Sequence, residues 1–104
     1  MKKDKHITDV IFRVDTSKDF KGDVFALLPH ECCDFDGHVT SYQHIGQHSG
    51  ADYFHCIEIS RPATEKEYES LKLEMESLGY NFKVIKRRSY DKYLKSYREI
   101  RKNI

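Results

Sequence analysis

His44 and His48 stand four positions apart in the stretch Ser41-Tyr42-Gln43-His44-Ile45-Gly46-Gln47-His48-Ser49-Gly50-Ala51-Asp52-Tyr53. On a helix, imidazoles at that spacing share a face and can share a zinc ion. Five of the six histidines and all three cysteines lie between His30 and Cys56, so further ligands could come from His38, Asp52, Cys56, or one of Cys32 and Cys33. Gly46 interrupts the helical reading, and no pair of cysteines has zinc-finger spacing. The same two histidines, with Tyr42 and Gln43 beside them, would suit proton transfer on a phosphodiester, but no nucleophile can be named. The favoured reading is a binding loop. Gly46, Ser49 and Gly50 offer backbone amides to an anion such as phosphate, and Tyr42, His44, Gln47, His48, Ser49, Asp52 and Tyr53 form the candidate ligand set. A competing reading has these polar groups bonded only to one another. Asp34-x-Asp36-Gly37 opens like a calcium loop, but its Gly comes at the fourth position and Ile45 occupies the twelfth, so that reading is rejected.

A second candidate surface comes from charge. Residues 83–104 hold nine Lys or Arg and two acids, a net of +7, whereas residues 1–82 carry a net of −6. Lys86, Arg87, Arg88, Lys92, Lys95 and Arg98 are the candidate contacts to nucleic acid, to an acidic host protein, or to a second copy in a homodimer. Tyr90, Tyr93 and Tyr97 interleave with them and could stack on bases. Their helical spacing equally predicts a buried stripe.

These sites need a frame. The 104 residues suit one domain with a small core, in which seven tyrosines and six phenylalanines carry much of the burial. Asp9–Asp15 alternates as a strand, with Val10, Phe12 and Val14 on one face and Ile11 and Arg13 on the other. Val24–Leu28 is a central strand ended by Pro29, paired antiparallel with the first. His30–His38 reads as a loop, Val39–His44 as a third strand, Ile45–Asp52 as a loop, and Tyr53–Ser60 as a fourth strand. Thr64 and Glu67 form a capping box for a helix over about 64–78, which buries Tyr68, Leu71, Met75 and Leu78 and ends at Gly79. A fifth strand spans Tyr80–Lys86, and a basic amphipathic helix about 90–103. The expected fold class is α+β: a mostly antiparallel sheet of four to five strands with the 64–78 helix on one face. Residues 1–88 would form the domain, with 89–104 a helical extension that packs beside it or projects away. No apolar run is long enough for a membrane span, and an odd cysteine count with an adjacent pair suits a reducing cytoplasm.

The 41–53 block resembles a family of short uncharacterised proteins from phages of gut bacteria and their host genomes. The likeness takes in Val10-Ile11-Phe12-Arg13, Ala26-Leu27-Leu28-Pro29, Arg61-Pro62-Ala63-Thr64, Glu67-Tyr68 and Leu71. It implies a phage–host setting in the bacterial cytoplasm and no particular mechanism. The expected function is a small binding protein with a His-rich polar loop and a basic tail. A metal- or histidine-dependent enzyme acting on phosphodiesters, and a structural or assembly protein, are the alternatives.

Overall fold

The computed structural model describes residues 7–43 and 47–102, with positions 47 and 48 described by backbone alone. The strands are β1 (Thr8–Asp15), β2 (Val24–Cys32), β3 (Val39–Gln43), β4 (Gln47–Ala51), β5 (Ser60–Pro62) and β6 (Phe82–Val84). The helices are α1 (Tyr53–Glu58), α2 (Glu65–Ser77) and α3 (Tyr90–Lys102). The sheet order is β4-β3-β2-β1-β5, and β6 also pairs with β1. Only the β1–β6 pairing is parallel. β5 and β6 share one edge of β1 end to end: β5 pairs with Arg13–Asp15 and β6 with Thr8–Val10.

The alternation of β1 sets two cores. Val10 and Phe12 join Ala26, Leu28 and Tyr42 on the face that receives Leu71 and Met75 of α2. Tyr68 extends that core by stacking on Phe12, with ring centroids 4.4 Å apart. Ile11, Phe25, Leu27 and Val39 occupy the opposite face, covered by Tyr53, Cys56 and Ile57 of α1 and Tyr93 of α3. The sheet therefore lies between α2 on one side and α1 with α3 on the other. The α+β class holds, and the C-terminal helix covers the sheet face that α2 leaves open.

Three sequence expectations are corrected. Tyr53–Ser60 is not a strand; its first six residues form α1. Asp52 caps this helix, its side chain accepting from the His55 amide at 3.2 Å, and Tyr53, Cys56 and Ile57 fall on the buried side at helical spacing. Within the expected Ile45–Asp52 loop, Gln47–Ala51 pairs antiparallel with β3, so the described residues of the 41–53 block lie in two strands and a helix start. Its polar residues suit an edge strand, which needs no apolar alternation. Pro29 does not end β2. The strand runs on to Cys32, and its register against β3 shifts between Leu28 and Cys32, where a missing amide is tolerated. Among the described residues no helix is long and apolar enough to cross a membrane.

α2 begins as its sequence dictates. Thr64 accepts from the Glu67 amide at 3.3 Å while the Glu67 carboxylate accepts from the Thr64 amide at 2.9 Å. Arg61 forks onto the same carboxylate at 2.9 and 2.6 Å. Gly79, at φ 106°, follows the C-cap in the left-handed conformation that glycine accepts without strain. Arg61 first, then the Thr64 amide, hold the Glu67 carboxyl down at about 2.

Thr64→Ala should lower unfolding free energy by about 1 kcal/mol in urea titration. A depressed carboxyl stabilises the fold above its ordinary value of 4.5, and the contribution fades as pH falls toward about 2. The stability difference between wild type and Glu67→Gln should therefore be full above pH 4.5 and close near pH 2.

Candidate functional site

Arg88 lies in the connection between β6 and α3, where three aromatic rings meet it. Its guanidinium carbon lies 4.2 Å from the ring centroid of Tyr53, 4.9 Å from that of Phe54 and 4.1 Å from that of Tyr93. Its backbone amide donates to the Tyr53 hydroxyl at 3.1 Å, which fixes the start of the side chain as well as its end. A guanidinium is weakly hydrated and planar, so ring faces hold it well; such contacts contribute from about 0.5 to 2 kcal/mol each, depending on exposure. None of its N–H donors meets a protein acceptor among the described residues. Arg88 thus has a fixed place and unspent hydrogen-bonding capacity.

It lines a recess of 180 Å³ with Asp36, Gly37, His38, Asp52, Tyr53, Phe54 and Tyr93. The β2–β3 turn supplies the opposite wall. Asp34 organises that turn by accepting from the Asp36 and His38 amides at 3.0 and 3.1 Å and from His38 Nδ1 at 2.7 Å. The turn's hydrogen bonds to the Asp34 carboxylate hold it below its ordinary range against the effect of desolvation. The Asp36 carboxylate has no partner among the described residues. Tyr93 joins the two walls: one face carries Arg88, and its hydroxyl donates to the Gly37 carbonyl at 3.0 Å. Burial raises the Tyr93 phenol, which keeps it a donor.

Two surfaces separate in the sequence meet here. Asp52 and Tyr53, from the predicted ligand set, share the recess with Arg88, from the predicted basic surface. Tyr42 and Ser49, from the same set, do not join them. Tyr42 is fully buried against α2 with its hydroxyl on Glu74, so it cannot touch a ligand. Ser49 faces Ser41 across the ladder, hydroxyl to hydroxyl at 3.0 Å. Ser49 and Gly50 run extended against β3, which is not the concave amide arrangement of an anion nest. His44 lies outside the described residues; Gln47 and His48 lie in β4, with His48 opposite Tyr42 in register. The residues that sequence reasoning missed as site members are Asp36, Gly37, Phe54 and Tyr93; the Asp36-Gly37 turn was visible, but not what it faces.

The basic surface is divided. Lys86, Arg87, Lys95 and Arg98 are exposed, while Lys92 reaches Asp9 at 3.4 Å. The Tyr93 and Tyr97 hydroxyls bind the Gly37 and Phe35 carbonyls, both at 3.0 Å, which ties α3 to the 35–37 turn. A larger recess of 420 Å³ lies between α3 and the β1–β2 end, lined by Asp9, His30, Glu31, Lys92 and Lys95 among others. Its central groups are already committed. His30 Nδ1 contacts Asp9 at 2.9 Å and Nε2 accepts from the Ser89 amide at 2.7 Å, leaving no ring nitrogen for chemistry. Burial raises the Asp9 carboxyl, but contacts from His30 and Lys92 outweigh it and hold Asp9 below its ordinary value. Glu31 and Lys95 line the exposed rim of this larger recess, but only the smaller recess holds a cation fixed in place by ring contacts, which makes it the better candidate.

For a metal, Asp34, Asp36 and His38 each offer a donor atom, all within 4.8 Å of one another. The Asp34–His38 hydrogen bond already spends one donor from each of those two residues. The expected His44–His48 zinc pair includes a residue outside the described ones. Burial raises all three thiols, Cys32, Cys33 and Cys56, which favours the protonated form.

Comparison with family models, with curated proteins and with solved structures finds no match for this chain. The site is therefore read from its own geometry.

Gly37 has φ 86°, and a Cβ there would lie 2.5 Å from the Tyr93 hydroxyl. Gly37→Ala should break that hydrogen bond, lower unfolding free energy by about 1 kcal/mol or more, and shift the Tyr93 ring resonances in NMR spectra. His30→Ala leaves the Ser89 amide without its acceptor and should cost about 1–3 kcal/mol, with faster hydrogen exchange in the first turn of α3.

Proposed function

We propose that this chain is a small binding protein that receives a carboxylate at Arg88, in the recess between the 36–38 turn, α1 and α3. One observation carries the reading: a guanidinium fixed by three rings and left without an acceptor. Its planar fork matches a carboxylate in two parallel hydrogen bonds, and a ring-held side chain loses little freedom on binding. A dianionic phosphate suits the recess less well, since Asp36 and Asp52 line it too and repel a doubly charged group.

The recess bears on ligand size as well. At 180 Å³ it holds about six waters' worth of liquid volume, well below a drug-sized site. The bound group is therefore a small molecule, or the end of a larger one. Phe54, 71% exposed beside Arg88, gives such a ligand an apolar rim. Exposed Lys86, Arg87, Lys95 and Arg98 add long-range attraction for an anionic ligand or an acidic host partner. Binding accounts for these features without catalysis, since the recess has a cation and carboxylates but no activated nucleophile. The resemblance of the 41–53 block would set this activity in phage–host biology.

Acetate is the direct probe. Titrated at constant ionic strength and followed at the Arg88 Nε–H resonance, it should give a saturable shift with millimolar affinity. Arg88→Lys, which keeps the charge but loses the fork, should weaken the affinity about tenfold. A wild-type titration with no saturation, or one unchanged in Arg88→Lys, would remove the reading.

A further inference from the structure

The recess holds opposite charges that do not pair. Arg88 has no carboxylate within ion-pair distance among the described residues, and the Asp36 carboxylate has no cation, although both line one space of 180 Å³. The two groups reach this space from different parts of the fold. Arg88 is held by the rings of Tyr53, Phe54 and Tyr93. Asp36 sits in a turn whose Gly37 amide donates to the Asp34 carbonyl at 3.2 Å and whose Gly37 carbonyl accepts from Tyr93. Tyr93 is thus a spacer, contacting Arg88 through its ring and the acidic turn through its hydroxyl. Gly37 is the residue that lets the turn come so close, because any Cβ there would strike that hydroxyl.

We infer that the recess is built for a small zwitterion, a free α-amino acid or the like, with its carboxylate on Arg88 and its ammonium on Asp36. This rests on the carboxylate reading above and deepens it. Asp52, whose Oδ1 accepts from the His55 amide alone among the described residues, and the half-buried His38 supply further acceptor capacity on the acidic side. A ligand carrying both charges satisfies both walls at once; a simple anion meets Arg88 but also the field of two carboxylates. The volume admits a compact amino acid whole, so both of its charges can sit inside the recess.

The test uses L-alanine, acetate and methylammonium as probes on the full chain, each titrated at pH 7 and constant ionic strength and read by NMR at the Arg88 Nε–H and the Asp36 and Gly37 amides. L-Alanine is expected to bind at least tenfold more tightly than either single-charge probe and to shift both walls. Asp36→Asn should act with opposite signs, weakening alanine about tenfold while tightening acetate by relieving repulsion. Spectra of this variant that overlay the wild type outside the 34–38 turn show that the fold is retained. If alanine binds no better than acetate, or if Asp36→Asn moves both affinities the same way, the zwitterion inference falls and the carboxylate reading stands. If neither alanine nor acetate saturates, both fall.

Discussion

The sheet is apolar on both sides, and both sides must be covered by a chain with few aliphatic residues to spare. Ile11, Phe25, Leu27 and Val39 are as deeply buried as the core beneath α2. Their cover, α1 and α3, has no fully buried residue of its own and is held by directed contacts instead. His30 accepts the Ser89 amide, Ser96 accepts the Cys32 amide at 2.9 Å, and the Tyr93 and Tyr97 hydroxyls bind the 35–37 turn. Aromatic rings and one arginine fill the seam between the two helices where a larger protein would place leucines.

That mode of covering leaves Arg88 in a useful state. An arginine closing an apolar seam normally spends its donors on carbonyls. Arg13 does so on the same molecule, 8% exposed and bonded to Ser60 Oγ, the Ser60 carbonyl and the Ile57 carbonyl. Arg88 closes its seam through its π-face alone, so its edge remains for a visitor. Arg13 thus spends its guanidinium donors on the protein, whereas the Arg88 guanidinium meets no protein acceptor among the described residues.

Much of the frame could be read from local chemistry. The capping box at Thr64 and Glu67, the helical stripe and the alternation of β1 each depend on neighbours within a few residues, and each appears as expected except that the stripe stops at Met75 and leaves Leu78 exposed at the C-cap. Tyr53–Glu58 misled because a six-residue helix on the sheet face has too few turns to establish a period, and its β-rich composition favours a strand. Gln47–Ala51 misled because an outermost strand is polar by necessity. The candidate site was half legible: Asp52, Tyr53 and Arg88 were each singled out, but for two different surfaces. Nothing local joins positions 36, 53, 88 and 93. Only the return of α3 across the sheet does, and that packing is a property of the whole chain.

The most direct measurement is the NMR signature of the Arg88 side chain in the free protein. Stacked against Tyr53 and Tyr93, its δ protons should be shifted upfield by ring currents, should move back toward ordinary values in Tyr93→Leu, and should accompany an Nε–H that is resolved from those of the exposed arginines. An Arg88 side chain with the shifts and averaging of a free arginine would contradict the account, because a cation that is not held in place has no reason to stay unpaired beside Asp36.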